Sequence, residues 1–390
     1  MSKRQMVNSI EELCSSQEVL ISTGSGGVGK TTTAAALGAV AATELGIKVL
    51  VLTVDPAKRL ASALGLQQFG NVETRVPAEA FSQAGVSPRG QMWAAMLDTK
   101  QSWDDLIRQH APDATTRDTI LANPLYQNIT GKFIQSHDYV AMERLYEIHT
   151  SGKYDLIVVD TPPTRNALDF LDAPDRMADF FSSKLLRWLI APYRSKMVNF
   201  ASKPFYMVAD RILGTQFLQD IAEFFILFQT MYDGFVERAQ AVTTLMGGPE
   251  TSFVVVSTLE VAPSREADFF LDLLTERGYH VGALILNKVL PEYLREESGT
   301  KSAKVLCDDA AETAKAVSLA MESEDLVPRL EYMFREIGNS FLNYQVVARR
   351  EAEQSAMLGE KAALTRSVPY FDEDIHSLEG LLRLGMKIWN

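Results

Sequence analysis

Runs of β-branched and other apolar residues recur along the chain: "EVLIST" (18–23), "IKVLVLTVD" (47–55), "MWAAML" (92–97), "YDLIVVD" (154–160), "TSFVVVST" (251–258), "VGALILN" (281–287) and the shorter "RSVPYF" (366–371). Several are apolar at nearly every position, the pattern of strands buried on both faces of a sheet. Helix-length segments separate them. This alternation predicts an α/β fold, a mostly parallel sheet flanked by helices. Strands come from both ends of the chain, and no repeat, low-complexity tract or Pro/Gly linker interrupts them, so residues 1–390 are expected to form a single domain. The long intervals without strand signals, 100–150 and 172–248, read as helical and are expected to form a subdomain inserted in it.

Composition narrows the class. With 390 residues and 46% hydrophobic content the chain has ample material for a core. A formal net charge of −12 argues against a general nucleic-acid binder, which needs a basic surface to neutralise phosphates. Cys14 and Cys307 lie far apart and have no CxxC spacing, so they read as reduced thiols rather than a zinc or redox site. The N-terminal "MSKRQMVNSIEEL" has no apolar signal core, and no run reaches about 18 uncharged apolar residues. A cytoplasmic protein is expected.

The chemistry concentrates in "GSGGVGKTTT" (24–33), set between the apolar run Val19–Ile21 and the small-residue stretch Ala34–Ala42. Gly24, Gly29, Lys30 and Thr31 fit the phosphate-loop pattern GxxxxGK[ST] in the strand–loop–helix context it requires. Bare glycines let successive backbone N–H groups face phosphate oxygens, and the helix N-terminus adds partial positive charge. Gly24, Ser25, Gly26, Gly27, Val28, Gly29, Lys30, Thr31 and Thr32 are therefore the candidate ATP-binding loop. Lys30 reaches the outer phosphates as a catalytic cation, and Thr31 ligates Mg²⁺. A glycine-rich turn with a surface lysine is the bland alternative, which the flanking strand and helix argue against.

Two strand-end carboxylates fall beside this loop. Asp55 precedes "PAKRL" and Asp160 precedes "TPPTRNALDFL"; at C-terminal strand ends one could hold a Mg²⁺ water and the other the attacking water. Either aspartate alone reads as a turn cap; two at equivalent strand ends beside a phosphate loop do not. Asn287, at the end of 281–287, could read a purine edge, and Leu290 stands where an aspartate would select guanine, which favours ATP over GTP.

Taken together, "GSGGVGKTT" (24–32), "VDPAKRL" (54–60), "VDTPPT" (159–164), "LILNK" (284–288) and "VPYFDED" (368–374) resemble the ArsA/GET family of deviant phosphate-loop ATPases, which includes arsenite-pump, tail-anchored-protein targeting and bacterial anion-transporter ATPases. "SHDYVAMERLYEI" (136–148) resembles the bacterial branch. The resemblance implies a dimer that closes around ATP, with Asp55 as base or positioner of the attacking water. Asp160 belongs to the second switch, reaching Mg²⁺ through water, and Asn287 with the Pro369 loop surrounds adenine. Two departures stand out. Family members read GKGGxGK, their first lysine crossing the dimer to the other subunit's ATP, whereas this chain has Ser25, too short and uncharged to replace it. The second switch, usually APTGHT, carries Arg165 and Asn166 in place of its glycine and histidine. The CxxC of zinc-sharing relatives is absent, so Mg²⁺ is the only metal expected. The partner is thus either a second copy or a paralogue that carries the signature lysine.

The interval 177–246 is rich in aromatics and methionines, among them Phe180, Phe181, Trp188, Phe205, Met207, Phe217, Phe224, Phe225, Phe228 and Met231. Lys184, Arg187, Arg194, Lys196, Lys203 and Arg211 add a basic stretch. Such a segment suits a groove for a hydrophobic client or a contact with an anionic membrane or membrane protein. Equally, it suits helices that bury their apolar faces on one another. The expectation is a Mg-ATPase switched by nucleotide as a dimer, coupling ATP state to a protein or membrane partner as anion-transporter ATPases do. A chaperone-like carrier and a regulatory pseudo-ATPase subunit are the alternatives.

Overall fold

Alternation along each strand delivers apolar side chains to two layers. In β1 (Val19–Thr23), Leu20 enters one layer while Val19 and Ile21 enter the other. β2 (Lys48–Thr53) divides Val49 and Val51 from Leu50 and Leu52 in the same way. The computed structural model describes residues 7–54, 58–66, 70–129, 134–162, 172–173, 176, 179, 223–228 and 230–390. Asp55, Arg165, Asn166 and the aromatic and basic residues of 180–222 lie outside them.

Six further strands complete the sheet: β3 (Thr74–Arg75), β4 (Gln91–Met96), β5 (Leu156–Asp160), β6 (Thr251–Ser257), β7 (Val281–Val289) and β8 (Thr365–Pro369). Their order is β3-β4-β2-β5-β1-β6-β7-β8, parallel throughout except for β3 against β4. The seven apolar runs correspond to β1, β2 and β4 to β8. Among the described residues β3 alone is added, and two antiparallel edge residues are too few to show a period. β1 lies between β5 and β6, so the loop leaving its C-terminal end opens at the centre of the sheet, where open α/β folds bind ligands.

One face is covered by the helices Ile10–Ser16, Lys30–Glu44 and Leu378–Trp389, the other by Ile134–Thr150, Tyr232–Gly247 and Val261–Glu276. The helix Lys30–Glu44 is almost wholly buried, which its run of alanines permits, because small side chains let sheet and outer helix approach from both sides. A third cluster joins Trp103, Ile107, Tyr126, Tyr139, Phe224, Phe228, Met231 and Phe235, with the rings of Phe228 and Phe235 stacked 5.1 Å apart. Within the described part of 177–246, then, Phe224, Phe228 and Met231 are core residues. At the edge of this cluster Glu143, only 5% exposed, accepts the Tyr139 hydroxyl at 2.8 Å and pairs with Arg238.

Between β7 and β8 the chain builds a helical hairpin. The helices Glu297–Asp308 and Ala310–Ala320 pack on a 33-residue helix, Val327–Gly359. Among the described residues no helix is long and apolar enough to cross a membrane.

Candidate nucleotide site

The loop of residues 24–29 is shaped by close contacts that only glycine tolerates at two points. A Cβ on Gly24 would stand 2.0 Å from the Val256 carbonyl oxygen of β6, and one on Gly29, at φ 98°, would stand 2.5 Å from Asn287 Nδ2. Gly29 caps the helix that begins at Lys30 and supplies no side chain of its own. Gly29, Thr31 and Thr32 line a cleft, so the partial positive charge of the helix N-terminus lies at its wall, where it would favour an anion. Lys30 is 7% exposed and its Nζ donates to the Ser25 carbonyl at 3.0 Å.

Beneath the loop a hydroxyl–carboxylate cluster forms. The register places Asp160 opposite Ser22 of β1 and Thr53 of β2. Thr31 Oγ1 donates to Asp160 Oδ2 at 2.6 Å, and Thr53 Oγ1 donates to the same oxygen at 2.9 Å. Asp160 is fully buried, so these hydroxyl donors rather than bulk water meet its Oδ2.

Asn287 ties the loop to the neighbouring strand. Its Nδ2 donates to the Val28 carbonyl at 2.9 Å, and its Oδ1 accepts the Lys288 N–H at 2.9 Å. The cleft, about 690 Å³ in volume, is lined by Gly27, Gly29, Thr31 and Thr32 together with Asn287, Lys288, Pro369, Tyr370 and residues 373–376. That volume falls in the range of small-molecule sites, roughly 300–1,000 Å³.

The signature of the anion-transporting ATPase family, ArsA, is matched by residues 17–307, most of the chain. The chain belongs to that family. Similar proteins include an "ATPase ASNA1 homolog" of Entamoeba dispar, 26% identical over 73% of this chain and 80% of its own length. An "ATPase GET3" of Malassezia globosa is 27% identical over 68% of this chain and 71% of its own. A "Putative arsenical pump-driving ATPase" of Chlorobaculum tepidum is 26% identical over 72% of this chain, which spans only 63% of that longer protein.

For an ArsA-family ATPase, the donor set suits a hard divalent cation. The Thr31 hydroxyl and Asp160 carboxylate are adjacent oxygens at the loop's base, the type of ligand Mg²⁺ takes. Of the residues singled out in the sequence, Gly27, Gly29, Thr31, Thr32, Asn287 and Pro369 line the cleft, whereas Gly24, Ser25, Gly26, Val28 and Lys30 do not, and the buried Asp160 is joined to it through Thr31. Asp55, which follows β2 by two residues, is outside the described part. Ser25 is turned away from the cleft, donating its hydroxyl to Glu266 Oε2 at 2.5 Å. Sequence reasoning missed Glu266 and Thr53. Glu266 sits 241 positions from its partner on an ordinary amphipathic helix and carries no local signal. Thr53, a buried polar residue closing the buried apolar run Val49–Leu52, does carry one.

Proposed function

We propose that this chain binds Mg-ATP in the cleft at the end of β1 and hydrolyses it. The observation that carries the reading is the Thr31–Asp160–Thr53 cluster lying directly under a glycine loop that ends in Lys30. Lys30 leaves the Ser25 carbonyl to meet the outer phosphates, and the loop N–H groups hold the rest of the polyphosphate. Thr31 and Asp160 would hold Mg²⁺, Asp160 through water. When bound, that ion screens the phosphate charge that builds during transfer. Asp55 orients the attacking water, and Pro369 with Asn287 flanks the base.

The nucleotide-switched dimer and its coupling to a protein or membrane partner belong to the same proposal, supported by membership in the anion-transporting ATPase family and by relatives named as pump-driving ATPases. The dimer is formed either with a second copy or with a paralogue carrying the lysine that Ser25 replaces. An anion other than arsenite is favoured as the transported species. Cys14 is buried in the core and far in sequence from Cys307, and soft arsenite calls for clustered thiolates. Phosphate release tests the chemistry: Asp55→Asn should keep ATP binding and lose most turnover, whereas Lys30→Ala should lose both. Wild-type turnover in Asp55→Asn would remove that residue from its role.

A further inference from the structure

Position 25 is where family members place the lysine that reaches across a dimer, and here its side chain is engaged inside its own subunit. Ser25 is 7% exposed, and its hydroxyl donates at 2.5 Å to Glu266 on the helix Val261–Glu276. A hydrogen bond from a hydroxyl to a carboxylate is short and about twice as strong as a neutral one. The backbone carbonyl of the same residue accepts Lys30 Nζ at 3.0 Å. Ser25 is thus held from both ends, by Glu266 through its side chain and by the catalytic-loop lysine through its main chain. The helix that bears Glu266 follows β6, whose Val256 carbonyl blocks any side chain at Gly24. Two neighbouring loop residues therefore take their positions from the β6–helix unit.

We infer that Glu266 is a positioning residue for the phosphate loop. By accepting the Ser25 hydroxyl it fixes the second residue of the loop before nucleotide arrives, so the N–H groups are already in the arrangement that phosphates require. Preorganisation of this kind lowers the ordering cost of binding and acts chiefly on affinity. It also explains why a serine serves at position 25, since the residue needed there is a short hydroxyl donor aimed at a carboxylate. A lysine placed at 25 would meet Glu266 in its own subunit first.

This inference rests on the ATP-site reading, and its test separates the two. The full-length protein is titrated with fluorescent Mg-ATP analogue, and turnover is measured in parallel, for Ser25→Ala, Glu266→Ala, the double variant, Glu266→Gln and Lys30→Ala. Thermal melting confirms that each is folded. Ser25→Ala and Glu266→Ala are each expected to weaken binding about tenfold, equivalent to about 1.4 kcal/mol, with KM rising far more than kcat falls. The double variant should be no weaker than either single one, because both remove the same contact. Glu266→Gln, which keeps an acceptor and removes the charge, should recover most of the affinity. Multiplying effects in the double variant, or wild-type affinity in Glu266→Ala, would overturn the role of Glu266 while leaving the site intact. Wild-type binding by Lys30→Ala would instead overturn the site itself.

Discussion

Asn287 offers a way to ask whether a residue at the mouth of the cleft reads the base or holds the loop. Its amide makes two hydrogen bonds at 2.9 Å, to the Val28 carbonyl and from the Lys288 N–H. Asn287→Ala removes both. Val28 is 1% exposed, so its carbonyl would lose its Asn287 donor in a site that water does not reach, a loss of about 1–3 kcal/mol. Lys288 is exposed, and its N–H can turn to solvent at little cost. A destabilisation of about 2 kcal/mol follows, a fall in Tm of about 2–3 °C for a chain of this size. With the loop released, affinity for ATP and GTP should fall together, because the triphosphate they share is what the loop holds. Asn287→Asp should bind more weakly still: it loses the donor and sets a negative charge beside the phosphate site. Differential scanning fluorimetry and parallel titrations with the two nucleotides measure both effects. An unshifted Tm with a change only in the ATP-to-GTP preference would refute the clamp and leave base recognition as the role of Asn287.

Two other predictions follow from buried groups. Cys14 is enclosed by the core and burial pushes its thiol up to about 12, whereas Cys307 is half-exposed; Ellman's reagent at about pH 8 should therefore titrate Cys307 alone in the native protein and both thiols in denaturant. Burial raises the Glu143 carboxyl above its ordinary value while Arg238 opposes that rise. A raised carboxyl favours the folded state below the unfolded value and loses that contribution as pH climbs through the folded one. Arg238→Ala should accordingly cost about 3–5 kcal/mol at neutral pH and markedly less as pH falls and the stranded carboxylate takes a proton; a loss that is flat with pH in thermal unfolding would contradict this.

The parts legible from sequence are those that local physics decides. β1, β2 and β5 announce themselves as continuous apolar runs because both their faces are covered, and the glycine loop is legible because Gly24 and Gly29 have no substitute at their contacts. Asp160 could be picked out by its place at a strand end beside a phosphate loop. What stayed hidden depends on residues that meet only in three dimensions. Glu266 reaches Ser25 across 241 positions, and nothing in "APSREADFF" sets it apart from any solvated helix face. Asn287 could be assigned to the cleft from its strand end, but the direction of its amide depends on how close β7 brings it to Val28. The helices of 297–359 are not legible as a unit because polar-rich helices between two strands carry no chemistry-bearing motif. Aromatic content was ambiguous by nature: Phe224, Phe228 and Met231 turned inward, and composition is the same for a core and for a groove.

The central claim is that Lys30 and the loop before it bind the polyphosphate of Mg-ATP. Calorimetric titration of a non-hydrolysable ATP analogue into the full-length protein, with and without Mg²⁺, tests it directly when wild type and Lys30→Ala are compared. The account predicts saturable, Mg²⁺-strengthened binding by the wild type that Lys30→Ala abolishes. Equal binding by both proteins, or no binding by the wild type, would contradict it.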